Sequence, residues 1–299
     1  MLFLRERSFA FGQLFFSFKT GLMVSTKYID IHGHRGARGL FPENTLTAFE
    51  GALKMGVDAL ELDVVISKDL EVVVSHEAWM NSLFCTRPDG HPVENDPDKY
   101  NLFHMTYPQI AAYDCGKRGN AEFPSQEPMP ERKPLLREVF TRIESYAHAH
   151  GLKPISYNIE IKTEQPSRAF NPDPLAFVDL VYNAVKSSGA FSRCAIQSFD
   201  VEVLRCMKQK DASMKLGLLV ENRDGFQVNL DRLNFKPDVY SPDFEMMDAG
   251  LVEKIHTLGI RFIPWTVNEP KDIQQMIDLG VDGIITDYPD RAITLVRTN

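Results

Sequence analysis

Nine apolar runs recur along the 299-residue chain, most of them separated by stretches with helical spacing. They are "YIDIHGH" (28–34), "ALELDVVIS" (59–67), "EVVVSHE" (71–77), "ISYNIEIK" (155–162), "CAIQSF" (194–199), "KLGLLV" (215–220), "DVYSP" (238–242), "RFIPWTV" (261–267) and "DGIITD" (282–287). Runs this short, bounded by turn residues, predict strands. The intervening spacing predicts helices that include 45–55, 135–150, 174–188, 201–210, 247–258 and 271–279. Asn44 reads as the N-cap of the first. Gly56, Gly151, Gly189, Gly259 and Gly280 stand where helices should stop. Strand alternating with helix predicts a parallel sheet with helices outside it.

One run breaks the apolar pattern. In "ALELDVVIS", Glu61 and Asp63 lie two residues apart and so share one face of a strand, with Leu60, Leu62 and Val64 on the other. Burying neighbouring carboxylates costs several kcal/mol unless something positive compensates. This strand therefore calls for a cationic partner.

Nine strands are one too many for an eight-stranded (β/α) barrel. Too few residues separate 59–67 from 71–77 for a parallel crossover, so that pair predicts a hairpin turning near Lys68–Glu71. With Asp69 and Leu70 as the loop, Asp63 falls opposite His76. Leu70 is not the glycine that a tight primed turn prefers, and a one-residue slip would send His76 to the other face. The remaining eight strands close a TIM barrel over 28–297, a single α/β domain with the hairpin strand as an extra. Residues 78–134 hold no long periodic element and are rich in Pro, Asp, Asn and Gly. They read as an insertion capping the barrel mouth.

Composition narrows the partners. The chain is 43% hydrophobic and 25% charged, with net charge −8 and no Lys/Arg cluster, which argues against nucleic acid but allows a phosphate-bearing ligand in a locally cationic pocket. The four cysteines, Cys85, Cys115, Cys194 and Cys206, show no metal-like spacing and read as free thiols; pairing of Cys85 with Cys115 would need an oxidising compartment. Residues 1–27 read as a peripheral extension. Early arginines precede an aromatic-rich stretch broken by Gln13, Ser17 and Lys19, too polar for a membrane span and poor as a signal peptide. Met23 suggests an upstream start codon. The expected location is cytoplasmic, the alternative being export through a weak N-terminal signal.

Active sites of such barrels lie at the carboxyl ends of the strands. There the sequence places His34 and Arg35, then Glu61 and Asp63, His76, Glu160 and Lys162, Gln197 and Ser198, Trp265, Thr266 and Asn268, and Asp287. Glu61, Asp63 and Glu160 are three acids with two nearby cations. Each acid singly would pair with Arg35 or Lys162; together they favour a divalent ion. Oxygen donors suit Mg²⁺, Ca²⁺ or Mn²⁺. His34 and His76 fit a general acid and base, with metal ligation as the lesser role. Arg35 and Lys162 suit a phosphate. Gln197, Trp265 and Asn268 are candidate pocket residues, although Trp265 fits a barrel core nearly as well. His32 reads as structural, and the other histidines as bland.

These stretches together resemble the glycerophosphodiester phosphodiesterase family. The resemblance rests on "HRGARGLFPENTLTAFEGALKMGVDALELDVVISKDLEVVVSHE", "NIEIK", "QSF", "WTVN" and "GVDGIITDYP", in the family's order over residues 31–289. It implies a (β/α)₈ barrel of the phospholipase C-like kind and hydrolysis of glycerophosphodiesters to glycerol 3-phosphate and an alcohol. It implies metal ligation by Glu61, Asp63 and Glu160, acid–base work by His34 and His76, and phosphate contact by Arg35 and Lys162. The chain departs from the family's pattern at Glu77, where Asp is usual, and in "AWMNSLFCTRPDG", which bears on headgroup preference. A lysophospholipase D-like activity and a non-catalytic binding protein are the alternatives.

Overall fold

The computed structural model describes residues 27–164, 169–247 and 249–298. The expectation for the N-terminal extension therefore lies outside the described residues, apart from Lys27. All nine apolar runs form strands: β1 (Asp30–Gly33), β2 (Ala59–Ile66), β3 (Val72–Val74), β4 (Ser156–Ile161), β5 (Cys194–Ser198), β6 (Lys215–Val220), β7 (Val239–Pro242), β8 (Arg261–Phe262) and β9 (Gly283–Thr286). Eight are parallel neighbours in the order β8-β7-β6-β5-β4-β2-β1-β9, with β3 paired to β2 off this path. Backbone hydrogen bonds bring the two ends of that path together. Asp282 N–H donates to Phe262 O (2.8 Å), Ile285 N–H to Pro264 O (3.0 Å) and Val267 N–H to Ile285 O (2.9 Å). The result is a nearly closed eight-stranded barrel. β8 is short because Pro264 has no N–H to give to a ladder.

The helices are α1 (Leu46–Met55), the short α2 (Tyr107–Ile110), α3 (Leu136–Ala149), α4 (Pro174–Ser187), α5 (Val201–Lys210), α6 (Phe226–Leu233), α7 (Ala249–Thr257), α8 (Pro270–Asp278) and α9 (Pro289–Thr298). α6 and α9 add to the helices the spacing singled out. The N-cap of α1 is Thr45, not Asn44: Thr45 is extended and its side chain accepts from Ala48 N–H. Asn44 sits in the left-handed region (φ 56°) and its amide is spent on Asp63 instead. The main core lies between strands and helices. Leu60, Leu62 and Val64 of β2 join it while Glu61 and Asp63 turn into the barrel.

The hairpin is real, but its register differs by one residue from the expectation. Val64 pairs with Val74 and Ile66 with Val72, so Ser75, not His76, lies opposite Asp63. The loop has three residues. Leu70 N–H closes a turn onto Ser67 O, and Leu70 itself is left-handed (φ 63°). This is the three-residue hairpin form in which a left-handed residue follows a tight turn.

Residues 78–134 correct one expectation, that of free cysteines. They build a second small core, with Met80, Phe84, Val93, Tyr100, Leu102 and Ile110 packed on the outer face of the hairpin at Val65 and Val73. The insertion reaches the barrel mouth through Trp79, which lines the cavity, and through Phe123 and Gln126, which contact Arg38. Cys85 and Cys115 are joined in a disulfide, not free; Cys194 and Cys206 are free. Pairing occurs because the insertion's own core brings both sulfurs together beside Met80. The insertion ends where it began: Val74 N–H donates to Pro134 O (2.8 Å), and Val73 bridges Leu135.

Candidate active site

The carboxyl ends of the strands surround a cavity of about 590 Å³. His34, Arg35, Glu61, His76, Glu160, Lys162, Gln197 and Trp265 line it. Asn268 does not; its role is beneath the surface.

The acids come from two neighbouring strands. Asp63 on β2 is in register with Glu160 on β4, and Glu61 faces the same way two residues earlier. One ligand oxygen from each of Glu61, Asp63 and Glu160 can be chosen so that all lie within 4.8 Å of one another, and all three residues are buried. Each is held differently. Glu61 accepts from Arg35 N–H (2.9 Å) and from Gln197 Nε2 (3.0 Å), which is itself fixed by Asn158. Asp63 accepts from Asn44 Nδ2 (2.8 Å) and lies 3.4 Å from Arg35 Nε. Glu160 pairs with Lys162 Nζ at 2.9 Å.

These cations do not balance the cluster. Burial, with Asp63 and Glu160 close by, pushes the Glu61 carboxyl well above its ordinary range. Burial likewise lifts Glu160 to about 7, against the pull of Lys162. Asp63 goes the other way despite its burial, held down by His76, Arg35 and Lys162. Asp63 Oδ1 is buried with no hydrogen-bond partner. Three convergent oxygens, one of them orphaned and two resisting ionisation, have the chemistry to hold a metal ion. The residues fit a metal site.

A glycine turn presents the first histidine. A Cβ on Gly36 (φ 88°) would lie 2.7 Å from the Ala48 backbone, and one on Gly33 2.1 Å from Gly36 O. Only glycines permit so tight a curl, which throws His34 and Arg35 toward the mouth. His34 Nδ1 is 2.6 Å from Asp287 Oδ1, and its Nε2 is 3.9 Å from Glu61. Burial pushes this imidazole down to about 4, although Asp287 pulls upward. Asp287 is itself clamped by Arg38 through Nε (2.9 Å) and Nη2 (3.0 Å), and by Asn268 Nδ2 (2.7 Å). His34 and Arg38 keep its carboxyl far below the usual range despite burial.

His76 reaches the cavity although its register was misjudged. β3 stops at Val74, and Ser75 Oγ then bonds Glu77 O, turning the chain inward. His76 Nδ1 lies 3.0 Å from Glu77 Oε1, and Nε2 lies 2.9 Å from Lys162 Nζ. Burial notwithstanding, His76, Lys133 and Arg35 hold the Glu77 carboxyl down to about 2. Each histidine thus has a carboxylate on Nδ1 and turns Nε2 toward the acids and cations. Arg35 is tied to Glu43 at 2.8 Å.

Sequence reasoning missed four supports: the Asn44 amide, the Glu43 partner of Arg35, the Arg38 clamp on Asp287, and Lys133, whose Nζ donates to Ser75 Oγ (2.7 Å). Asn44, Glu43 and Arg38 sit in the quoted stretch that follows His34, and Lys133 near the end of the insertion, but only the fold reveals whom they touch. Asp287 was visible at a strand end without its partner.

Residues 34–291 match the model of the glycerophosphoryl diester phosphodiesterase family. The chain belongs to this family. It is accordingly a phosphoric diester hydrolase. A glycerophosphodiester phosphodiesterase of Caldanaerobacter subterraneus subsp. tengcongensis is 32% identical over 269 residues, covering 88% of this chain and 96% of that protein. A crystal structure from Silicibacter pomeroyi, described as a putative glycerophosphoryl diester phosphodiesterase, superposes with a TM-score of 0.82 at 28% identity, covering 91% and 94% of the two chains. An Oleispira antarctica phosphodiesterase, solved with its product sn-glycerol-3-phosphate, shares the fold at a TM-score of 0.70 and 19% identity, covering 91% and 98%. Among the described residues, no helix is long and apolar enough to cross a membrane.

Proposed function

We propose that the protein hydrolyses glycerophosphodiesters to glycerol 3-phosphate and an alcohol, with His34 and His76 as the acid–base pair. The observation that carries this reading is the pairing, in one cavity, of two Nδ1-anchored histidines with Glu61 and Glu160, with Asp63 buried directly behind them. Binding alone needs no such pair, which weighs against a non-catalytic role.

Glu61, Asp63 and Glu160 would hold one divalent ion, Mg²⁺ or Ca²⁺ with Mn²⁺ as a third candidate, which when bound neutralises the carboxylates and polarises a phosphoryl oxygen. Arg35 and Lys162 supply the remaining positive charge for the diester. Both must loosen from Glu43 and Glu160 to do so, so substrate binding exchanges internal ion pairs for phosphate contacts. His34 is neutral at pH 7 and its Nε2 is free to take a proton from the oxygen that attacks phosphorus, the glycerol 2-hydroxyl or a water, while Asp287 on Nδ1 fixes the tautomer and steadies the imidazolium that forms. His76, oriented by Glu77 and next to Lys162, delivers a proton to the departing alkoxide. Exchange of these two roles returns both groups for the next turnover.

The test is purified protein with glycerophosphocholine in Mg²⁺, in Ca²⁺ and in EDTA, scored for glycerol 3-phosphate. Release with metal and none in EDTA is expected. No release under any condition, from this ester or from glycerophosphoglycerol, would sink the reading.

A further inference from the structure

The amino ends of the strands surround a second cavity, of about 330 Å³, at the end of the barrel away from the acid triad. The interior of such a barrel is normally filled by layers of bulky branched side chains. Here Ala59, Ala195 and Gly217 line the space and are too small to fill it. It is not an apolar void. His32 and Asn158 form part of its wall, and Gln197 lines both this cavity and the one at the mouth. Gln197 accepts from Asn158 Nδ2 through Oε1 (2.9 Å) and donates to Glu61 Oε1 through Nε2 (3.0 Å), so it stands as the partition between the two.

Two features call for an occupant. The first is His32, which is 7% exposed and whose Nδ1 has no hydrogen-bond partner. Buried polar atoms are nearly always paired. The second is charge. Arg261 is spent on Asp30 (2.6 Å) and Arg193 on Glu144 (2.7 Å). Lys215, at the start of β6, and Lys236, just before β7, also line the cavity. Both are exposed, and neither makes an ion pair among the described residues. Lys236 Nζ donates to Leu258 O (3.2 Å) and keeps two further protons to give. The remaining carboxylate of the lining, Asp238, is turned to the backbone, where it accepts from Leu216 N–H (2.8 Å). Two unpaired lysines against one carboxylate favour an anion. A hydrocarbon would leave the imidazole nitrogen unpaired, and a cation would meet the lysines. Water would serve the imidazole but gives the lysines no counter-charge.

We propose that this floor cavity is a binding site for a small hydroxylated phosphate monoester. The phosphate sits at the entrance on Lys215 and Lys236, since lysine grips phosphate as a point charge. The hydroxyl-bearing body reaches inward to His32 and Asn158. His32, pushed by burial down to about 4, is neutral at pH 7 and offers one donor and one acceptor. Asn158 Oδ1 adds an acceptor that has no partner among the described residues. The volume lies at the low end for ligand sites, which limits the body to a few carbons. The site is independent of the phosphodiester reaction, because its lining includes neither the acid triad nor His34 or His76.

The test is isothermal titration calorimetry of the whole protein in EDTA, with glycerol 3-phosphate, inorganic phosphate and glycerol as separate titrants. A saturable event with glycerol 3-phosphate is expected, at least ~10-fold tighter than with inorganic phosphate, and none with glycerol. The event should survive Lys162→Gln at the mouth. Lys215→Gln and Lys236→Gln should each weaken it several-fold, and His32→Leu should erase the advantage over inorganic phosphate. Both floor lysines are exposed, so their variants remain informative if Lys162→Gln or His32→Leu does not fold. Absence of a saturable event overturns the proposal, as does an affinity that both floor-lysine variants leave unchanged. An event lost in Lys162→Gln alone places the phosphate at the mouth and overturns it too. Equal affinities for glycerol 3-phosphate and inorganic phosphate overturn the assignment of a hydroxylated ligand.

Discussion

The two ends of the barrel carry histidines two residues apart in sequence, His32 on β1 and His34 just past its end, and the two behave differently. His32 and His34 are both buried, and burial pushes both down to about 4. At the mouth, His34 Nδ1 has a clamped carboxylate at 2.6 Å. At the floor, His32 lines a separate cavity of about 330 Å³, and its Nδ1 has no partner. The floor's charges are largely spent on one another: Asp30 with Arg261 at 2.6 Å, Asp282 with Lys27 and His256, Asp58 with Arg297. At the mouth, acids are crowded beyond what Arg35 and Lys162 neutralise. A histidine becomes a candidate for chemistry through what holds its far nitrogen and what its near nitrogen faces, not through burial or residue type.

That contrast breaks first, and most visibly, if turnover ignores it. His34→Ala should lose about 10²–10⁴-fold in kcat, the usual contribution of an acid–base group. His32→Gln should turn over like the wild type. Similar losses in both variants would erase the distinction between the ends. Because His34 and His76 serve one reaction, the double variant should lose far less than the product of the single losses.

The disulfide separates scaffold from chemistry at the mouth. Opening the loop between Cys85 and Cys115 with Cys85→Ser should cost about 3–4 kcal/mol by the loop-entropy relation, read by denaturant unfolding. An unchanged midpoint would mean that the insertion's core alone sets its stability. A smaller effect marks the metal ligands. Glu61→Gln should abolish the rise in melting temperature caused by Mg²⁺ or Ca²⁺, worth about 2.7 kcal/mol at a hundredfold excess over Kd. His34→Ala and His76→Ala should retain that rise; a histidine whose variant loses it is a ligand.

The floor has its own signature in acid. The folded state holds His32 near 4, while an unfolded chain titrates it at 6.5. The unfolded chain therefore binds more protons between these values, and stability falls as pH drops below the unfolded value. His32 alone should withdraw about 2 kcal/mol between pH 7 and 5. His32→Gln should show correspondingly shallower acid destabilisation; parallel curves for the two proteins would exclude the role. The smallest effect belongs to Arg261→Ala. The Asp30–Arg261 pair is half-exposed, so its loss should cost at most about 1 kcal/mol and leave turnover alone.

The barrel was readable because strand patterning and helix stops agree along the chain. The three acids were readable because a carboxylate on a buried strand violates its surroundings. The hairpin register was not, because the left-handed residue is Leu70 and nothing in a leucine announces a positive φ. His76 reaches the cavity for a reason the alternation did not contain, the turn after Val74. The Cys85–Cys115 bond was hidden because an irregular segment has no period from which to read proximity. Arg38, Glu43 and Lys133 were hidden because a cation's partner is set by tertiary geometry.

The insertion leaves the barrel at residue 78 and returns at Pro134, hydrogen-bonded to Val74. Its entry and exit are stitched to the same three-residue strand, and between them it is pinned to the loop after β1, where Gln126 Nε2 donates to Arg38 O and Phe41 O and Glu127 N–H to Leu40 O, and to the hairpin turn, where Lys68 N–H donates to Met105 O. None of these anchors is a rung between the eight parallel strands. The stretches between the anchors can therefore lengthen without re-registering any of the eight, since closing a longer loop adds only about 0.6 kcal/mol per doubling. Variation among descendants of such a barrel would then accumulate beside Trp79, changing which alcohol is accepted while the machinery that cleaves the diester is inherited intact.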